Sequence, residues 1–369
     1  MISGHGGDIY GLARQLGCRA DEISDMSANV NPIGPPPELM DHLQALLPAV
    51  TALPEADAAG IVAAFSRFHD IDPGQVMAGN GTTELIYRIP RALAVKRALV
   101  VGPTYADYQD ACTMNQVACD WITCRESDNF APDMAALRKG AARADLVFFC
   151  NPNNPTGVLT RRAEIHEWCS ALPDTVFVID ESYLPFTPQP DDATMIRSTL
   201  PNVMVLNSMS KIFRIPGLRI GFVKAPPPLM AKLVSWSLPW AVNSLAQVAV
   251  HWLMAHPEAV KRFLATTRLM IFKEKLRIEE SIHQKTSIHC YPSATSFMLM
   301  RLPKGIDAAT LWRHMAEQRI LIRDCSNFGG LSEAFIRISI KTAAENRRAT
   351  DLLVRFCSDP ARPGDDHGD

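Results

Sequence analysis

Four short apolar runs limit what this chain can fold into: ALVV (98–101), LVFFC (146–150), VFVID (176–180) and VMVLN (203–207). None alternates with polar residues, so each reads as a strand covered on both faces rather than wetted on one. Stretches with helical periodicity, 133–143 and 161–171, lie between them. Strand, helix and strand in repetition predict an α/β fold built on a parallel sheet with helices on both sides. In open sheets of this kind ligands gather beyond the carboxyl ends of the strands. The residues that follow each run are therefore the first candidates for chemistry.

The pattern changes after about residue 225. A long helical stretch (257–283) leads into SFMLMRL (296–302), ILIR (320–323) and FIRISI (335–340), each with strand character. The expected organisation is an N-terminal arm (1–35), a large domain (36–255) and a smaller α+β domain (256–358) entered through the connecting helix. The Pro/Gly/Asp-rich end, 359–369, reads as a disordered tail. A net charge of −2 across 369 residues carries no electrostatic footprint for nucleic acid or an anionic membrane. No apolar run reaches the roughly 18 residues that span a bilayer, and the first 25 residues lack a signal pattern, so the expected compartment is the cytoplasm. Nine cysteines without CxxC spacing show no metal-binding cluster. Cys112, Cys119, Cys124, Cys150 and Cys325 sit in or beside apolar runs and read as reduced core residues.

Four features follow the strands in order. GNGTTELI (79–86) is a glycine turn entering a helix, where backbone N–H groups and the hydroxyls of Thr82 and Thr83 form a seat for phosphate. Glu84 occupies the place of the third glycine of a dinucleotide fingerprint. NPNNPTG (151–157) is by composition a turn. In VIDESY (178–183), Asp180 ends an apolar strand and needs a partner, for which an ion pair is the plain reading. In NSMSKIFRIPGLRIGF (207–222), Lys211 is a surface lysine or an amine activated in a polar pocket beside Arg219, with Ser208 and Ser210 available to a phosphate.

In that order, GNGTTE, NPNNPTG, DESY and SMSKIFRIPGLRIG resemble the fold-type I pyridoxal-phosphate (PLP) enzymes over about residues 22–355, in the branch of histidinol-phosphate aminotransferase. The resemblance implies a large domain with a mostly parallel sheet plus a small α+β C-terminal domain. It implies that Lys211 forms the Schiff base with the cofactor aldehyde and that Asp180 pairs with the pyridine nitrogen. Tyr183 and Asn154 would hydrogen-bond the ring oxygen, and Tyr105 would stack on the ring. Gly81, Thr82, Thr83, Ser208, Ser210 and Arg219 would hold the cofactor phosphate, and Arg337 would take a substrate carboxylate. A homodimer is implied too, although Leu53 stands where relatives often carry a tyrosine that crosses the interface.

Segments outside these motifs narrow the branch. HGGDIYGLARQLG (5–17), DMSANVNPIGPP (25–36), LPWAVNSLAQ (238–247) and ILIRDCSNFGGL (320–331) are similar to the threonine-phosphate decarboxylases of cobalamin biosynthesis. This resemblance implies decarboxylation of L-threonine O-3-phosphate to (R)-1-amino-2-propanol O-2-phosphate, with a histidinol-phosphate-type aminotransferase as the alternative. The substrate would be a small phosphorylated amino acid held by His5, Gly6, Gly7, Asn31, Arg323 and Arg337. In this reading the two glycines bring backbone N–H groups up to the substrate phosphate. Several residues have plainer readings: Arg323 as an ion pair with Asp324, and Trp236 and Trp240 as core or cleft lining. Met254, Met270, Met298 and Met300 read as packing, and Arg214 as either an anion-tuning residue or a solvent-facing one.

Overall fold

The computed structural model describes residues 6–358. A short helix, Ile9–Leu16, precedes the two-residue strand β1 (Ser24–Asp25). The main sheet then takes β2 (Val76–Gly79), β3 (Arg97–Gly102), β4 (Ala118–Thr123), β5 (Leu146–Cys150), β6 (Val176–Asp180), β7 (Val203–Ser208) and β8 (Gly221–Lys224). Further strands are β9 (His289–Cys290), β10 (Phe297–Arg301), β11 (Ile320–Leu321), β12 (Arg323–Asp324) and β13 (Phe335–Ser339).

The main sheet has the order β2-β8-β7-β6-β5-β3-β4. Strands β3 to β7 are parallel to their neighbours, whereas β8 runs antiparallel to both β2 and β7. Every residue of β5 is buried, as a strand covered on both faces requires. The expected runs are thus all strands, and their carboxyl ends set Cys150, Asp180 and Ser208 along one edge. The reversed β8 adds a consequence. Gly221 registers with both Gly79 and Ser208, so the turn after β2 and the turn after β7 meet at one point.

The second sheet, β12-β13-β10-β9, is antiparallel. The stretch 320–323, expected as one strand, is two. Ile320 and Leu321 pair in parallel with Ser24 and Asp25, while Arg323 and Asp324 pair with β13. The physical reason is a switch of partner. Leu321 joins a small apolar cluster with Leu12, Ala13 and Ile23 from the N-terminal segment, and the chain then turns into the second sheet. The long helix spans Pro257–Lys285 and buries Val260, Ile271, Ile278 and Ile282 along one side.

All nine cysteines are free; Cys112, Cys150 and Cys325 are buried, but Cys119 and Cys124 are only half-buried. Met298 and Met300 are core residues. No helix among the described residues is long and apolar enough to cross a membrane. His5 and the tail 359–369 lie outside the described residues.

Candidate active site

The turn after β2 opens the helix Gly81–Ala92, and Gly81 has φ 79°. A Cβ on Gly81 would lie 2.7 Å from Nη2 of Arg219, and one on Gly221 would lie 2.7 Å from the backbone nitrogen of Thr82. Glycines here keep open a space rimmed by the first N–H groups of a helix and a guanidinium. Such a rim is a seat for a phosphate dianion. Ser208 ends β7, and Ser210 lies two residues on, with its hydroxyl donating to the Ile220 carbonyl at 3.2 Å. Gly81, Thr82, Ser208, Ser210 and Arg219 therefore converge as the motifs predict.

Asp180 is buried at the end of β6. Its partners are neutral rather than cationic: Oδ2 accepts from the Tyr108 hydroxyl at 2.8 Å and Oδ1 from the Ser182 amide at 2.9 Å. An ion pair within the chain is thus replaced by two oriented donors. Tyr108 stacks on Phe148 in the core at 5.0 Å, which fixes its hydroxyl. Sequence reasoning passed over Tyr108; its place three residues after Tyr105 in PTYADY was the available signal.

Lys211, Tyr105, Asn154 and Tyr183 line one cavity of about 520 Å³, together with Gly6, Gly7, Arg323 and Arg337. Thr83 and Asp107 both hydrogen-bond the Tyr105 hydroxyl, and burial drives its pKa far above the ordinary tyrosine value. Arg337 is buried; its Nη1 reaches Asn154 Oδ1, and its Nη2 donates to the Ser27 carbonyl at 2.6 Å. Its Nε is buried and has no partner. Arg323 is the direct cross-strand neighbour of Arg337. It is held by Asn327 Oδ1 at 2.7 Å and packs over Phe328, so its partner is not Asp324. Burial lowers the pKa of both guanidiniums, and the nearby Arg337 charge lowers that of Arg323 further.

The N-terminal segment is placed differently from the reading above. The Gly7 amide donates to Ser27 Oγ at 2.7 Å, so that N–H is already committed. A Cβ on Gly6 would meet the Ser27 carbonyl at 2.7 Å, which shows what this glycine permits: close seating of one strand of chain on another. Asn31 is buried outside the cavity; its Nδ2 donates to the Ile212 carbonyl and to Thr267 Oγ1, and its Oδ1 accepts from the Ile33 amide. Asn29 lines the cavity instead, donating to the Tyr183 hydroxyl at 3.4 Å and accepting from Ser339. Trp236 and Trp240 are neither core nor cavity lining but are exposed.

The residues fit PLP. The Gly81–Arg219 cradle suits its phosphate, the fixed Asp180 carboxylate suits a protonated ring nitrogen, and Lys211, next in the chain to Ser210, offers a primary amine on the cavity wall.

Comparison with known proteins bears on the same site. The family model described as aminotransferase class I and II matches residues 22–353. The chain is 31% identical to the threonine-phosphate decarboxylase of Salmonella typhimurium over 95% of its own length and 96% of that protein. It is 28% identical to the histidinol-phosphate aminotransferase of Akkermansia muciniphila, covering 94% of each. Among solved structures, L-threonine-O-3-phosphate decarboxylase from Porphyromonas gingivalis is similar with a TM-score of 0.80 and 31% identity, over 90% of this chain and 98% of that one.

Proposed function

Since the chain belongs to the class I and II aminotransferase family and is a PLP-dependent enzyme, we propose that it decarboxylates L-threonine O-3-phosphate to (R)-1-amino-2-propanol O-2-phosphate and CO₂. The observation that carries this reading is the register of Arg323 opposite Arg337 on the wall of the Lys211 cavity. Like charges directly opposite on paired strands oppose folding. A substrate with two anionic groups turns that arrangement into a binding device. The Salmonella typhimurium and Porphyromonas gingivalis proteins support the same choice.

Each residue then has a task. Gly81, Thr82, Ser208, Ser210 and Arg219 hold the cofactor phosphate; Asp180, aimed by Tyr108 and the Ser182 amide, keeps a proton on the ring nitrogen. Tyr105, Asn154 and Tyr183 line the cavity and would hold the ring, Tyr105 by packing and the other two by hydrogen bonds. The bound cofactor supplies a sink for the electron pair left at the substrate Cα when a bond there breaks. Arg337 would select which bond breaks: its Nη1 and Nη2 are held by Asn154 and Ser27, and its buried Nε, which has no partner, is left to take the carboxylate and fix its orientation. Arg323, with Asn327 beside it, takes the phosphate at the outer end. Lys211, on the same cavity, would return a proton to Cα after CO₂ has left.

Purified holoenzyme given threonine phosphate is expected to evolve CO₂ while the cofactor returns to its starting absorbance. Accumulation of pyridoxamine phosphate without CO₂ would instead assign it to the aminotransferases, as its likeness to the Akkermansia muciniphila protein allows.

We also infer a homodimer. Leu53 and Leu238 are 77% and 71% exposed, and their segments touch: the Trp240 amide donates to the Ala56 carbonyl and Ser244 to that of Ala52. With Leu47, Val50, Trp236 and Trp240 they form an apolar face of the kind that a partner covers.

A further inference from the structure

Arg214 follows Lys211 by three residues and lines the same cavity. Its backbone is left-handed, with φ 48°. It sits just past the short helix Met209–Ile212, where its amide donates to the Lys211 carbonyl at 3.3 Å and that of Ile215 to the Ser210 carbonyl at 3.1 Å. That position favours glycine or asparagine, because a Cβ crowds the left-handed backbone. An arginine standing at a place that disfavours side chains, with its guanidinium on the cavity, points from strain towards use. Its Nη1 donates to the Pro32 carbonyl at 3.1 Å, which anchors the guanidinium beside the cavity wall formed by Asn29 and Val30.

Counting charge gives the use. Among the described residues, the ionisable side chains on the cavity, tyrosines aside, are Asp25, Lys211, Arg214, Arg323 and Arg337. Asp25 is turned inward on its own loop, where Oδ1 accepts from the Ser27 amide, the Ser27 hydroxyl and the Ala28 amide. Lys211 is committed to the cofactor. A phosphorylated amino acid brings one negative charge on its carboxylate and nearly two on its phosphate at neutral pH. Arg337 and Arg323 answer two of these three charges.

We propose that Arg214 is a specificity-determining residue that answers the third, so that the site reads its substrate as a phosphate dianion and not merely as an anion. The inference rests on the reading of the substrate given above. Arg323 supplies a fork to the phosphate from one side, and Arg214 neutralises the second charge from the Lys211 side.

The test compares two ligands of one shape and different charge: the amino-alcohol phosphate product and its O-sulfate ester, which is a monoanion. Calorimetric titration of the wild-type holoenzyme is expected to favour the phosphate. Arg214→Gln keeps a hydrogen-bond donor and removes the charge; it should cut the phosphate-over-sulfate ratio about tenfold, the scale of one charge-assisted contact. Arg214→Lys, which restores the charge, should recover most of the ratio, and the cofactor absorbance of each variant reports its folding. A wild-type ratio near one, or a ratio that Arg214→Gln leaves unchanged, overturns the proposal. Release of CO₂ by the wild type tests the reaction separately, so failure of either reading is recognised on its own.

Discussion

Glu181 adjoins Asp180 in sequence. Both are buried and both accept two hydrogen bonds, in the case of Glu181 from Thr194 and the Met195 amide. Burial nevertheless pushes the Glu181 pKa up to about 8, more than those two donors lower it. The folded protein therefore holds a proton that the unfolded chain, with an ordinary glutamate, has released. The contribution of Glu181 to folding stability falls as pH rises from about 4.5 to about 8, by an amount on the order of a few kcal/mol. Glu181→Gln removes this titration. Melting temperatures measured across that window should show the variant gaining on the wild type as pH rises, and parallel curves would place the proton elsewhere. Single residues were also where the sequence was hardest to read. Asn29 and Asn31 stand two apart in SANVN, and composition cannot say which faces the cavity. The answer lies in residues far along the chain, Ser339 for the first and Thr267 for the second.

At the scale of elements, the reversal of β8 does most to assemble the site, because it brings the glycine turn after β2 against the end of β7. Gly81 is the point of closest fit. Alanine there must adopt a positive φ and push the Arg219 guanidinium away. Gly81→Ala is expected to weaken PLP retention about tenfold or more, since strain of roughly 1 kcal/mol adds to a lost charge contact. Equilibrium dialysis of the cofactor measures this, with circular dichroism confirming the fold. The parallel strands were legible because a strand buried on both faces has no polar residue to interrupt it, as LVFFC and VFVID show. The direction of β8 was not, since GFVK is as apolar as its neighbours and nothing local states its orientation. Nor was the break at Ile322, where one apolar run serves two sheets.

For the whole molecule, the exposed face that contains Trp236 and Leu238 carries the expectation of a dimer. Arg91 lies over the Trp236 ring at 4.6 Å, which leaves much of the indole still open. Trp236→Asp combined with Leu238→Asp should convert a dimer to a monomer in sedimentation velocity, by burying charge in an apolar contact. A wild-type protein that sediments as a monomer would remove the premise.

The pairing of β1 with β11 reaches further than its two residues of register suggest. Ser24 and Asp25 meet Ile320 and Leu321, and Ser24 also donates to Glu345 near the other end of the chain. During synthesis this segment must wait to find its place, since its partners follow nearly three hundred residues later. Closing so long a loop is favourable only once the intervening sheet has formed. The cavity wall built on Gly7, Ser27 and Arg337 is completed by segments far apart in sequence meeting, so a chain stalled before Arg337 can form the main sheet and still present no substrate site.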